Sequence, residues 1–128
     1  MTAEASAVVR LRRALANDRC TAAQIRSIVA ELPQPPGLED AFAILLALLD
    51  REPATYPRAA ARWACRFALE RRLTLVDTQL ALAALAVLPE PGARAGVEAL
   101  AELTGRYGLR SLDGLLITWA DRRGLGER

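Results

Sequence analysis

Residues 55–66 read TYPRAAARWACR, and residues 111–122 read SLDGLLITWADR. Trp63 and Trp119 are the only tryptophans in the chain, and they hold the same place in the two stretches. In the first, Tyr56, Ala59, Ala60 and Trp63 fall at i, i+3, i+4 and i+7; in the second, Leu112, Leu115, Leu116 and Trp119 repeat that spacing. It is the spacing of one face of an α-helix. Each stretch therefore reads as an amphipathic helix with a tryptophan on its apolar face. A tryptophan so placed packs into a core and gives its N–H to a carbonyl.

Trp119 follows Trp63 by 56 residues, and the same offset carries other features with it. It maps Leu32, Pro33 and Pro35 onto Leu88, Pro89 and Pro91, and Thr55 onto Ser111. It also maps Ala64 and Arg66 onto Ala120 and Arg122. That register suggests two three-helix units, residues 17–72 and 73–128. A competing register pairs the later helices as hairpins about 35 residues apart.

Working outward, proline, glycine and capping residues divide the chain into seven helices. The first covers about residues 5–17. Thr21, three residues before Gln24, forms a capping box that starts the second. Ile25, Ile28, Val29 and Leu32 give that helix its apolar face, and LPQPPG ends it. The third, residues 38–50, contains AFAILLALL and is apolar nearly all round, the mark of a central buried helix. The fourth covers residues 57–71, with Pro57 in the first turn where proline is tolerated. Thr74 caps a fifth, residues 75–88, which LPEPG stops. A sixth covers residues 93–107, with Gly108 as its C-terminal cap. The seventh covers residues 111–122, and residues 123–128 read as a frayed tail. No segment alternates like a strand. The expected fold is one all-α domain over residues 1–128, built as a short α-α superhelical stack or a compact helical bundle.

Composition narrows the function classes. The chain has 128 residues, 52% of them hydrophobic, which excludes disorder. All 17 basic residues are Arg, with no Lys and no His, a usage that points to GC-rich bacterial coding. The lack of His removes the commonest general base and metal ligand. The net charge of +2 is small and the charges are interspersed, so a dedicated nucleic-acid binder is disfavoured. Cys20 and Cys65 lack CxxC spacing and read as reduced and partly buried, with Cys65 a buried inert thiol. The N-terminal segment has no signal-peptide pattern, and the longest apolar run, residues 41–49, is far below the ~20 residues of a membrane span. A cytoplasmic location is the expectation.

On the pairs LPQP with LPEP and RWACR with TWADR, and on its helix lengths, the chain resembles the HEAT and armadillo class of α-helical repeats over most of residues 17–122. The resemblance implies a protein that binds another protein through a concave helical face, as most of that class do; a few bind nucleic acid.

The candidate site residues are Arg58, Arg62 and Arg66. At 100° per residue they fall within an arc of about 80° on the fourth helix. Like charges at this spacing repel. Either Asp50, Glu70 or Asp77 pairs with them, or the row is a solvated face, or it is a strip that binds an anion or a partner, for which guanidinium geometry is suited. Glu39, Asp40, Asp77 and Asp113 sit in first turns, where the helix dipole favours acids. A helix-turn-helix over residues 20–49 fails because its second helix is too apolar to read a groove. No phosphate loop, metal cluster or nucleophile motif is present, so no cofactor, metal or catalytic residue is expected. The expected function is a non-catalytic protein-interaction or scaffold module, with homodimerisation as one form. The alternative is a nucleic-acid or anion-binding module using the Arg row.

Overall fold

The computed structural model describes residues 3–125. Among them are seven α-helices and no strand: α1 (Ala3–Ala16), α2 (Ala22–Ala30), α3 (Leu38–Arg51), α4 (Tyr56–Arg71), α5 (Leu75–Val87), α6 (Ala93–Arg106) and α7 (Ser111–Arg122). A single 3-10 turn, Pro53–Thr55, fills the break before α4. The Thr55 hydroxyl donates to the Glu52 carbonyl at 3.0 Å and makes no side-chain cap for α4.

The helix ends follow from local chemistry. At α2 the Thr21 hydroxyl accepts from the Gln24 N–H at 3.2 Å, and the Gln24 side chain accepts from the Thr21 N–H at 2.8 Å, completing the box. At α5 the Thr74 hydroxyl accepts from the Asp77 N–H at 3.1 Å. Gly108, at φ 80°, closes α6: the Leu109 N–H reaches the Thr104 carbonyl at 2.9 Å, and Leu109 is buried behind it. Gly124, at φ 72°, closes α7 in the same way, with the Leu125 N–H on the Ala120 carbonyl at 2.8 Å. Arg123–Leu125 are therefore a cap and not a frayed tail. Arg123 pairs with Asp50, and Leu125 packs against the core. The rest of the expected tail, residues 126–128, lies outside the described residues.

Packing proceeds from neighbour to neighbour through α3, α4, α5, α6 and α7, and α7 returns to α3. That return closes a ring, so the helices form a compact bundle and not an open stack. The ring encloses the main core, which includes Phe42, Leu45, Trp63, Phe67, Leu85, Leu100, Leu112 and Trp119. α1 and α2 pair with each other and both rest on α3, enclosing a smaller cluster of Leu11, Ile25 and Ala47. The apolar character of α3 on every side follows from this position. It touches α1, α2, α4 and α7.

The tightest contact in the ring lies between α5 and α6. A Cβ on Gly96 would come within 2.7 Å of both the Ala84 carbonyl oxygen and Val87 Cγ2. Glycine lets the two backbones meet there. Gly114 in α7 has open space around the same position. Adding a methyl at each site separates propensity from packing. Gly96→Ala gains helix propensity but meets fixed backbone, and is expected to lower stability by about 1–3 kcal/mol. Gly114→Ala is expected to raise it by ~0.5–1 kcal/mol. Urea unfolding followed by circular dichroism checks the opposite signs.

Candidate functional site

Both tryptophans are buried. Trp63 Nε1 donates to the Leu38 carbonyl at 2.9 Å, at the start of α3. Trp119 Nε1 donates to Asp50 Oδ1 at 3.2 Å, at the end of α3. The second partner is a carboxylate where a carbonyl is expected. The Arg123 guanidinium covers the Trp119 ring at 4.8 Å and also pairs with Asp50. Phe42, Trp63, Phe67 and Tyr107 form a run of ring contacts, with centroids 4.9, 5.1 and 5.8 Å apart. These groups are core anchors.

The Arg row divides. Arg66 pairs with Glu70 one turn on. Arg58 and Arg62 are exposed and form no ion pair among the described residues. Asp50 and Asp77 take other partners. Arg62 and Arg66 rim a shallow groove of about 290 Å³ between α3 and α4, lined by Ile44, Leu48 and Ala59. Arg10 and Arg12 of α1 do not extend this strip. Arg10 pairs with Glu31 and Arg12 with Asp40, and α1 packs on α2 and α3 away from α4. Cys65 shares the outward side of α4 with the row. It is exposed, which corrects the expectation of a buried thiol, and Cys20 is half-buried.

A larger cleft of about 460 Å³ opens where α1, α3 and α7 meet. Leu15, Leu46, Ala47, Leu115 and Trp119 make its apolar floor and walls. Its rims carry charge of both signs. Arg12 holds Asp40 at 3.3 Å, and Arg122 holds Asp18 at 3.4 Å. Arg51 Nη2 donates to the Leu15 and Asn17 carbonyls at 3.2 and 3.1 Å, tying α3 to the end of α1. The sequence gives no sign of this cleft, because it forms between helices distant in the chain. Of its carboxylates, Asp40 and Asp50 pair with arginines, while Glu39 is exposed and forms no ion pair among the described residues.

Asp77 sits in the first turn of α5 as expected, but its carboxylate is buried against α6. The Tyr107 hydroxyl donates to it, and Arg106 Nη2 lies 3.4 Å away. The Tyr107 hydrogen bond, and then the charge of Arg106, hold the Asp77 carboxyl below the ordinary carboxylate value. The same bond raises the Tyr107 phenol. Burial alone pushes the Tyr56 phenol upward, and its hydroxyl donates to the Leu85 carbonyl at 2.7 Å.

The outward side of α5 is the feature that sequence periodicity missed. Leu75, Val76, Gln79, Leu80, Leu82, Ala83 and Ala86 are exposed, spanning an arc of about 160° at 100° per residue. Leu75 is 74% exposed and Val76 71%, and Leu69 near the end of α4 is 81% exposed. The only charged residue of α5 is the buried Asp77. The signal was present as a 13-residue helix with no charge to turn toward water.

Among the described residues no group of His, Cys, Asp or Glu is placed to hold a metal, and no helix is long and apolar enough to cross a membrane. No family model, curated protein or solved structure matches the chain.

The Asp77 knot gives a pH signature. With its folded value depressed, Asp77 contributes stability that is fully present above the unfolded value of ~3.9 and is lost as pH falls through the folded value. Denaturant midpoints measured from neutral pH down through that range are expected to fall. In Asp77→Asn the neutral-pH midpoint is expected to drop and the acid slope to flatten.

Proposed function

We propose that the chain is a non-catalytic interaction module that docks another protein on the outward face of α5. The single observation that carries this reading is the exposed, uncharged arc of α5 with Leu75 and Val76 at its head. Scattered exposed hydrophobics are ordinary on a protein surface, but a contiguous apolar patch marks an interaction site. A quarter of the whole chain is charged, so a helix that faces water with no charge on its surface departs from the rest of the molecule.

A test places two acids on the arc. Val76→Glu with Leu80→Glu is expected to keep the helical circular dichroism of the parent, since both residues are exposed. In size-exclusion of a cleared native extract, the parent chain is expected to elute in an assembly above its 13.8 kDa mass, and the variant at that mass. Identical elution of the two removes the reading.

A second reading uses Arg58 and Arg62, which lack acidic partners among the described residues, Arg62 lying beside the α3–α4 groove. They suit a phosphate or carboxylate bound at the surface. On this reading Arg58→Ala with Arg62→Ala is expected to elute from heparin at clearly lower salt than the parent. Unchanged elution leaves the two arginines as a solvated face.

A further inference from the structure

We infer that the occupant of the α5 face is a second copy of this chain, with the two α5 helices packed antiparallel about a twofold axis. The inference rests on the reading of α5 as a docking face and names the partner. Three observations favour a copy of the chain in this orientation.

The first is the absence of charge. A partner of different sequence is selected by complementary charge, and the α5 arc offers none. An uncharged apolar strip is complementary to itself, as an isologous interface requires.

The second is the distribution of size along the helix. The large exposed side chains Leu75 and Val76 stand at the N-terminal end, and the small Ala83 and Ala86 toward the C-terminal end. An antiparallel copy lays the large pair over the small one at both ends. Leu80 of each copy then meets Leu82 of the other near the axis. A parallel copy sets Leu75 and Val76 against themselves and leaves a gap over the alanines.

The third is the charge just beyond the arc. Arg72 stands three residues before α5 begins, and Glu90 three residues after it ends. Both are exposed, and neither forms an ion pair among the described residues. Antiparallel pairing brings Arg72 of each copy to Glu90 of the other; parallel pairing sets Arg72 on Arg72. Opposed helix dipoles favour the antiparallel form as well.

The interface is small. A 13-residue helix is about 20 Å long. One helix with its two corners lies below the ~800 Å² per partner of a standard interface, the size class of weak, transient contacts.

Sedimentation equilibrium of the purified chain from about 1 to 300 µM tests this. The average mass is expected to rise from 13.8 kDa toward twice that value. Val76→Glu is expected to stay monomeric throughout. Arg72→Glu and Glu90→Arg are each expected to weaken the dimer by ~3–10-fold, because the twofold axis places each change twice. The double variant Arg72→Glu/Glu90→Arg is expected to recover parental association. A parent that stays monomeric overturns the inference, as does a dimer indifferent to Val76→Glu. A double variant no tighter than the singles overturns the antiparallel register. If the purified parent is monomeric while its extract assembly still depends on Val76 and Leu80, the docking face stands and the second copy is overturned.

Discussion

Two indole N–H groups hold α3 at its two ends, and the bundle is organised around that grip. Trp63 reaches the carbonyl of Leu38, the first residue of α3, and Trp119 reaches the carboxylate of Asp50 in its last turn. An indole N–H buried without an acceptor costs about 1–3 kcal/mol, so each tryptophan fixes its helix in register as well as in depth. The consequences spread from there. Trp63 sets α4 against the N-terminal half of α3 and stacks on Phe42 and Phe67. Trp119 brings α7 back to α3, and that return makes the chain a closed bundle. Arg123 completes the second grip by covering the indole and sharing Asp50, which requires the α7 cap to stay ordered through Gly124 and Leu125.

The same physics sets α5 apart. Helices α3 and α5 are both nearly free of charge along their middle turns, yet α3 touches four other helices and α5 only two, α4 and α6. Apolar surface on α3 is consumed by neighbours. On α5 it remains exposed beyond the close contact with α6 that Gly96 permits. Burying it would remove apolar area from water at about 25 cal/mol per Å².

Much of the fold is legible in the sequence because its helix boundaries are local events. The Thr21–Gln24 box, the Thr74 cap, the proline breaks and Gly108 act within a few residues, and the helices begin and end beside them. The apolar stripe around each tryptophan is equally local, and both tryptophans are core. What stays hidden depends on distance in the chain. Asp77 is a first-turn acid by position, but its Tyr107 and Arg106 partners lie in another helix. The cleft between α1, α3 and α7 joins segments from opposite ends of the chain. Periodicity also fails where every position is apolar. A pattern of 3.6 residues identifies a buried side by contrast with a polar one, and α5 supplies no contrast. Cys65 was misplaced for a related reason. Its position beside Arg58 and Arg62 marks the outward side of α4, and that geometry outweighs the general tendency of thiols to be buried.

The echo between RWACR and TWADR is sharpened by the same distinction between pattern and partner. At the 56-residue offset, burial repeats position by position: Tyr56 with Leu112, Ala60 with Leu116, Trp63 with Trp119, and Ala64 with Ala120 are all buried. The repeat lapses between α3 and α6, where buried Phe42 corresponds to exposed Glu98. Partners do not repeat at all. Trp63 holds the helix just before its own in the chain, whereas Trp119 reaches past α6 to hold α3 as well. Two stacked units each clamping its own middle helix would leave the ends of the stack apolar and open. Both tryptophans clamping one helix turns the same stripes inward on a shared core. Most of the apolar surface that remains exposed then collects on α5 and the α4–α5 corner, with Val9 and Ile117 standing apart on α1 and α7.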